Sequence, residues 1–427
     1  MATIAENIQT LKSIKSDIKN AIIQKGGSVT DAFGTYAQAI TDLPSGGGGG
    51  TEIEDALVMR TLSQYSNDRV SVVGNYAFYT YSNLTSISLP NCTRVNAYAF
   101  YSCEKLTSII LQNCTFIDSN AFAVCTSLIS IDLPLCTMIS DNAFETCYSL
   151  TSISLPLCSY VGSYTFNSCS KLTYINLPNC SYIGNYAFSS CKSLISVSLP
   201  KVTSVRGYAF HSCISLTSID LPKCSYIGGY TFEQCSALQS VNLSVCSKIG
   251  NAAFHSCISL TSVNLPNCSS VGDYAFHSCI SLTSIDLPKC SKVGSRTFEQ
   301  CSVLQSVNLP NCSFIGREAF WSCHLLLSID LPNCSFIDYN AFGFCTALVS
   351  VNLPKCITIS SFGFNGCSNL AQVYLNSVSS VTSIYSNTFN NCPNLTSVYV
   401  PSSLVDAFKT ARYWSSISSK IVAYTGA

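Results

Sequence analysis

Charge is the first thing this 427-residue sequence has little of. Only 10% of its residues are Asp, Glu, Lys or Arg, and the 22 basic and 22 acidic side chains cancel. A chain so sparsely charged has no basic footprint for nucleic acid or for an anionic membrane surface. It also lacks apolar runs of membrane-spanning length, because polar residues interrupt every one although 47% of the chain is hydrophobic. That argues against membrane insertion. The first residues, MATIAENIQTLKSIKSDIKN, have no continuous apolar core of the kind a signal peptide carries, which makes ordinary secretion unexpected. Histidine is scarce, with four in all. Nowhere does a G-x-S-x-G, a nucleotide-binding glycine loop or an H-E-x-x-H stand in a supporting context. The expectation is a protein that is not an enzyme and holds no cofactor or metal.

What the chain does have is a period. Phe78, Phe100, Phe122 and so on to Phe364 recur every 22 residues, with one further unit ending at Phe389 after a three-residue insertion. Leucine, Ile/Val and second-leucine columns keep the same register. The unit reads L-x-S-[IV]-x-L-P-x-C-[ST]-x-[IV]-G-x-[YN]-[AT]-F-x-x-C-x-x. The alternation in S-[IV]-x-L predicts one short strand per unit with Ile and Leu facing inward. Proline ends that strand, and the glycine after the second Ile/Val is expected to turn the chain at positive φ. A unit this small cannot bury its apolar face alone, so neighbours must stack into a repeat solenoid, predominantly β, with a parallel sheet of short strands.

The 26 cysteines all belong to the repeat, twelve after the proline and fourteen after the phenylalanine. Where the first column lapses it holds Val202 and Val378, and the degenerate first unit has Tyr81 in the second. Valine substitutes for a small buried hydrophobe but not for a ligand or a disulfide partner, so the favoured reading is a reduced core ladder. Partial disulfides between stacked neighbours and a metal site are the alternatives. A row of His211, Glu233, His255 and His277 at the same spacing raises metal binding again, against the plainer view that this is a variable, exposed column.

Three outward columns carry the variation that suits recognition. One holds Asp132, Asp220, Asp286 and Asp330 among asparagines, the second Tyr160, Tyr182 and Tyr226, and the third a run of tyrosines including Tyr230. Flat rings beside directional hydrogen-bonding groups suit a glycan or a protein surface, although stacked Tyr and Asn also simply hold coils together. These eight residues are the candidate ligand-binding surface. Residues 211–254 reappear almost unchanged as 277–320, an offset of three units, so array length tolerates change.

The stretch LTSIDLPKCSYIGGYTFEQC, residues 216–235, resembles the BspA-like (Treponema-type) leucine-rich repeat, and the resemblance covers roughly residues 57–400. It implies a leucine-rich-repeat right-handed superhelix of 22-residue repeats, a surface or adhesion role, and no catalytic residues. The segment VPSSLVDAFKTARYWSSISSKIVAY, residues 400–424, resembles the helix-plus-strand cap of such arrays.

Residues 1–43 stand apart. Ile4, Ile8, Leu11, Ile14, Ile18 and Ile22 form an apolar stripe on a helix ended by Gly26-Gly27, and a second short helix follows near residues 30–42. Such a small N-terminal α-helical hairpin buries little by itself, so its stripe is a candidate docking face for other proteins or for copies of the chain, a trimer included. With the glycine run after it, this segment is similar to N-terminal segments of tail and fibre proteins of phages infecting gut bacteria. That implies a virion location, with docking to other virion proteins and the solenoid turned toward a host-surface glycan or protein; the alternative is a bacterial cell-surface adhesin. The expected organisation is 1–43 docking module, 44–50 glycine linker, 51–83 capping repeat, 84–400 solenoid and 401–427 C-terminal cap.

Overall fold

The computed structural model describes residues 63–426, so the helical hairpin and its candidate docking face, Ile4 to Ile22, lie outside the described residues. The chain divides into two compact units, Met1–Leu172 and Thr173–Ala427. The described part of each unit is a parallel β-solenoid, built from one coil repeated.

In the coil that begins at Leu216, the alternating segment becomes the strand Ser218–Asp220, with Ile219 buried between two exposed residues. Pro222 follows, and a second, two-residue strand, Tyr226–Ile227, buries Ile227. Both strands pair parallel with the next coil at an offset of 22: Ile219 with Val241 and Asp220 with Asn242 on one sheet, Ile227 with Ile249 on the other. The same offset holds in the first unit, where Ile109 pairs with Ile131 and Ile117 with Ile139. Each residue therefore stacks on its counterpart, and every column of the sequence becomes a row in space.

The core follows from that stacking. Leu216, Ile219, Leu221, Ile227 and Phe232 are all buried. The phenylalanines overlie one another with ring centroids 5.0 Å apart at Phe78–Phe100 and 5.5 Å at Phe210–Phe232, nearly parallel in both cases. At the end of the second unit the chain forms the short helix Val405–Thr410 and the strand Ile421–Ala423, which pairs with Ser397–Val400. Trp414 lies against Phe389, the last ring of the stack, at 5.9 Å. Its indole Nε1 donates to the Thr382 carbonyl at 2.7 Å. No helix among the described residues is long and apolar enough to cross a membrane.

The glycines correct the turn expectation. Among those described only Gly366 has positive φ, whereas the coils from Phe78 to Phe342 each have two left-handed residues that are not glycine, such as Tyr230 at 59° and Gln234 at 60°. An L-residue there costs roughly 1–2 kcal/mol. What offsets that cost is visible in the hydrogen bonds. The N–H groups of Tyr230, Phe232 and Gln234 each donate to the next coil, at 2.8 Å, onto Asn251, Ala253 and His255. The left-handed residues tilt alternate amides along the stacking direction, so a turn region bonds between coils as a strand does. The glycine column serves close approach instead. A Cβ on Gly228 would lie 2.5 Å from the Gly207 amide nitrogen, and one on Gly250 2.5 Å from that of Gly229. Other coils hold Asp118, Ser140 or Arg206 at this position, so the close approach belongs to the glycine coils.

All 26 cysteines are free and buried, yet they are more than hydrophobic filler. In the column after the proline, the Cys224 thiol donates to the Tyr226 carbonyl of its own coil at 3.2 Å. In the column after the phenylalanine, the Cys235 thiol reaches back one coil to the Phe210 carbonyl at 3.1 Å. The first kind of bond is internal to a coil and is absent where Val202 stands; the second ties two coils together. Cys224→Val is accordingly expected to leave the urea midpoint nearly unchanged, while Cys235→Val lowers stability by about 1 kcal/mol, the worth of a typical hydrogen bond. Equal losses in the two variants would remove the distinction.

Candidate functional site

The eight candidate residues do not converge. Asp132, Asp220, Asp286 and Asp330 each end a three-residue strand and are exposed on its outer face. Tyr160, Tyr182 and Tyr226 open the two-residue strands and are half-buried. Tyr230 occupies a left-handed turn position on a third part of the coil. Asp132 and Tyr160 belong to the first unit and the others to the second.

The aspartates form an ordered row in the second unit. Asn242 donates through Nδ2 to Asp220 Oδ1 at 3.0 Å, Asn308 to Asp286 at 2.7 Å and Asn352 to Asp330 at 2.7 Å. Asn264 continues the row onto Asn242 at 3.5 Å. Two stacked carboxylates would repel at this spacing, and the row never places them together: it runs Asp220, Asn242, Asn264, Asp286, Asn308, Asp330, Asn352. Asn242, Asn308 and Asn352 each fix the rotamer of the carboxylate below. The result is a line of polar groups held at strand spacing and facing outward. Exposed aliphatic side chains flank it at the residue preceding the strand, Ile195, Leu327 and Val349 among them.

The tyrosines behave differently from the expectation of open ring faces. Tyr186, Tyr208 and Tyr230 stack on each other at 4.5 Å and 4°, so the rings of the row cover one another. Tyr182 and Tyr226 have a cation over the ring instead, the Arg206 guanidinium at 5.5 Å and the Lys248 ammonium at 6.0 Å. The stacked row is interrupted once in this region, at the buried Ala252. On either side of it Tyr230 and Tyr274 are 36% and 39% exposed. Tyr208 covers one face of Tyr230, and the Arg296 guanidinium sits 5.6 Å over Tyr274. Tyr274 belongs to the third outward tyrosine column of the sequence, and the missing rung at Ala252 is legible there as a break in that column.

The histidine row is built as the 22-residue spacing requires. Glu233 sits between His211, 3.5 Å away, and His255, 3.0 Å away, and the rings of His255 and His277 are 4.8 Å apart. Glu299 lies 3.6 Å from His277 and 3.5 Å from Arg296. Burial, then the neighbouring His255 and Arg296, pushes His277 down to about 4. Burial also raises Glu299 despite Arg296 beside it. His277 is therefore neutral at pH 7, and its contact with Glu299 is not an ion pair. The sign follows from linkage. The unfolded chain takes up a proton near pH 6.5 that the folded chain refuses until about pH 4, so stability present above pH 6.5 falls as the pH drops through this window. His277→Gln is expected to flatten the loss of urea midpoint between pH 6.5 and 4; an unchanged slope would place the titrating group elsewhere. No group of three or more His, Cys, Asp or Glu among the described residues is arranged to hold a metal ion. Cys213, two residues from His211, is buried, and that burial raises its thiol well above the ordinary value, so it is not poised as a nucleophile.

Comparison with known proteins places this geometry. The family described as BspA type leucine rich repeat region matches residues 62–173, 159–267, 244–347 and 313–422. Among solved structures, a leucine-rich repeat protein from Bacteroides ovatus is 27% identical, with 83% of this chain and 88% of that one covered and a TM-score of 0.63. A leucine rich cell surface protein from Faecalibacterium prausnitzii is 23% identical over 84% of this chain and 91% of that one, with a TM-score of 0.40. No curated protein matches the chain.

Proposed function

Because the chain belongs to the BspA-type leucine-rich repeat family, we propose that it is a non-enzymatic attachment protein whose solenoid presents its strand face to a surface glycan or protein. The observation that carries this reading is the hydrogen-bonded Asp/Asn row of the second unit. Its groups are ordered before any ligand arrives, so binding costs little side-chain entropy, and exposed aliphatic residues lie beside them. A row of outward-facing groups repeated from coil to coil favours an extended partner, touched at several coils, over a small substrate.

Two placements fit such a role. In the first the chain is a phage virion fibre or appendage: residues 1–43 dock to other virion proteins, as a trimer or singly, and the solenoid meets the host surface. The support is the N-terminal sequence pattern, apolar residues at helical spacing followed by five glycines. In the second it is a bacterial cell-surface adhesin, which the family and the resemblance to BspA-like proteins support. Mass spectrometry of purified virions and of washed cell envelopes separates them, since the protein belongs to one fraction in each case.

The attachment reading itself is tested with fluorescent full-length protein on intact gut bacteria and on immobilised glycans. The combined variant Asp220→Ala, Asp286→Ala, Asp330→Ala is expected to weaken binding at least tenfold while leaving the circular dichroism unchanged. Undiminished binding by that variant would move the ligand off this face.

A further inference from the structure

The fourteen-member cysteine column ends at Cys392, and its surroundings there differ from every rung before it. The step from Cys367 to Cys392 is 25 residues instead of 22, because three extra residues widen the last coil. That wider coil leaves a cavity of about 550 Å³, lined by Tyr385, Asn390, Cys392, Tyr413 and Ile417 among others. Cys392 is 7% exposed, whereas every other cysteine is at most 1% exposed. After it comes the cap, so the column offers it one sulfur neighbour, Cys367. The two lie on adjacent coils, a separation of ~4.8 Å in a parallel array, inside the Cα spacing that a disulfide spans, ~4.4–6.8 Å. Each thiol donates to a phenylalanine carbonyl one coil back, Cys367 to Phe342 and Cys392 to Phe364, both at 3.0 Å.

We propose that Cys392 and Cys367 form a thiol–disulfide exchange site, entered through this cavity, which takes an external disulfide of a small thiol or an exposed peptide. Cys392 is the attacking sulfur. It bonds to one sulfur of the incoming R–S–S–R′, the external S–S bond breaks, and R′S⁻ leaves with the proton that Cys392 has given up. Cys367 then loses its proton and attacks Cys392 Sγ, expelling RS⁻, which takes up that proton. The balance is protein dithiol plus RSSR′ giving protein disulfide plus RSH and R′SH, so the external disulfide is the oxidant and is itself reduced. The electrostatics agree with these roles. Hydrogen bonding with the Cys367 side chain and backbone, together with the Lys420 charge, outweighs burial and brings the Cys392 thiol below its ordinary value. Burial holds Cys367 well above, as a resolving thiol should be until the mixed disulfide is formed beside it. Of the other 24 thiols, those in the column have similar neighbours, but all are at most 1% exposed.

The test uses the native full-length chain and 5,5′-dithiobis(2-nitrobenzoic acid), an aromatic disulfide. The expected result is fast release of two thionitrobenzoate equivalents per chain with no adduct retained, and a cross-linked peptide pair containing Cys367 and Cys392 in the digest. The Cys367→Ser variant is expected to release one equivalent and to keep a mixed disulfide on Cys392. Cys392→Ser is expected to release none on that timescale, its fold checked by an unchanged thermal transition. The peptide map of the unmutated chain decides the matter even where a variant fails to fold. No native release, release spread over many cysteines, or a cross-link at any other pair would overturn the proposal.

Discussion

Phe232→Ala is expected to cost the solenoid about 3–5 kcal/mol, the usual loss for emptying a buried phenylalanine site. The ring is fully buried and touches Phe210 at 5.5 Å and Phe254 at 5.2 Å, so one truncation opens two interfaces between coils. In a stack whose stability is a sum over neighbours, an interior lesion also interrupts the coupling between what lies before and after it. The two tryptophans, Trp321 and Trp414, both follow the lesion. Circular dichroism reads every coil, while tryptophan fluorescence reads only the later ones. In the variant the dichroism transition in urea is expected to begin earlier than the fluorescence transition. Coincident transitions would mean that cooperativity spans the cavity, and the nearest-neighbour picture would be wrong at this site. Phe232→Leu, which keeps most of the volume, is the control and should cost less than about 1.5 kcal/mol.

Trp414→Ala is expected to produce a loss of similar size with a different reach. Trp414 is buried, packs edge-on against Phe408 at 5.2 Å, leans on Phe389 and gives its indole proton to Thr382. Without it the helix Val405–Thr410 has little to hold it, and the last phenylalanine and the edge of strand Ser397–Val400 open to solvent. Because these contacts reach only the last coil and the cap helix, the damage should stay at that end. Hydrogen exchange is expected to rise across residues 395–424 while the coil around Phe232 keeps its protection. The exposed strand edge should also drive association, visible as a concentration-dependent larger species on size exclusion. Protection lost throughout the second unit would show that the cap sustains the whole stack.

Those two outcomes rest on features that were open to reading from the chain itself. The 22-residue recurrence of Phe, Leu and Ile/Val identifies the stacked coil, its buried set and its two cysteine columns, because a strict period leaves a short coil few other ways to bury its apolar face. The turn was less legible. Glycine suggests positive φ by its freedom, but in this coil Tyr230 and Gln234 take that conformation, since what selects it is the direction of three amide protons toward the next coil. The cysteines read as hydrophobes by composition; only the positions of the Phe210 and Tyr226 carbonyls reveal that the thiols donate, and to different coils. Among the candidate ligand residues, Asp220, Asp286 and Asp330 were placed correctly on the outer strand face. That stacked asparagines hold coils together is also legible in the column; which carboxylate each amide pins follows only from the structure. Tyr230 was marked for a ring face that Tyr208 covers. His211, Glu233, His255 and His277 do come together as the spacing requires, but the neutrality of His277 depends on burial and on Arg296, which no spacing rule supplies.

The offset of 22 shared by the strand pairs of the regular coils has a mechanical consequence. Backbone hydrogen bonds between coils run along the stacking direction, and each coil is held to its neighbour by the same set. Pulled apart along that direction, the stack should yield one coil at a time, since breaking one set leaves the next intact. Each event would free about 22 residues, on the order of 75 Å of extended chain at ~3.4 Å per residue. A pulling experiment would read this as evenly spaced steps, with a longer one at the widened coil before Cys392. A tether of this construction lengthens under load in small increments and holds at each, where a single cooperative core would hold and then fail at once.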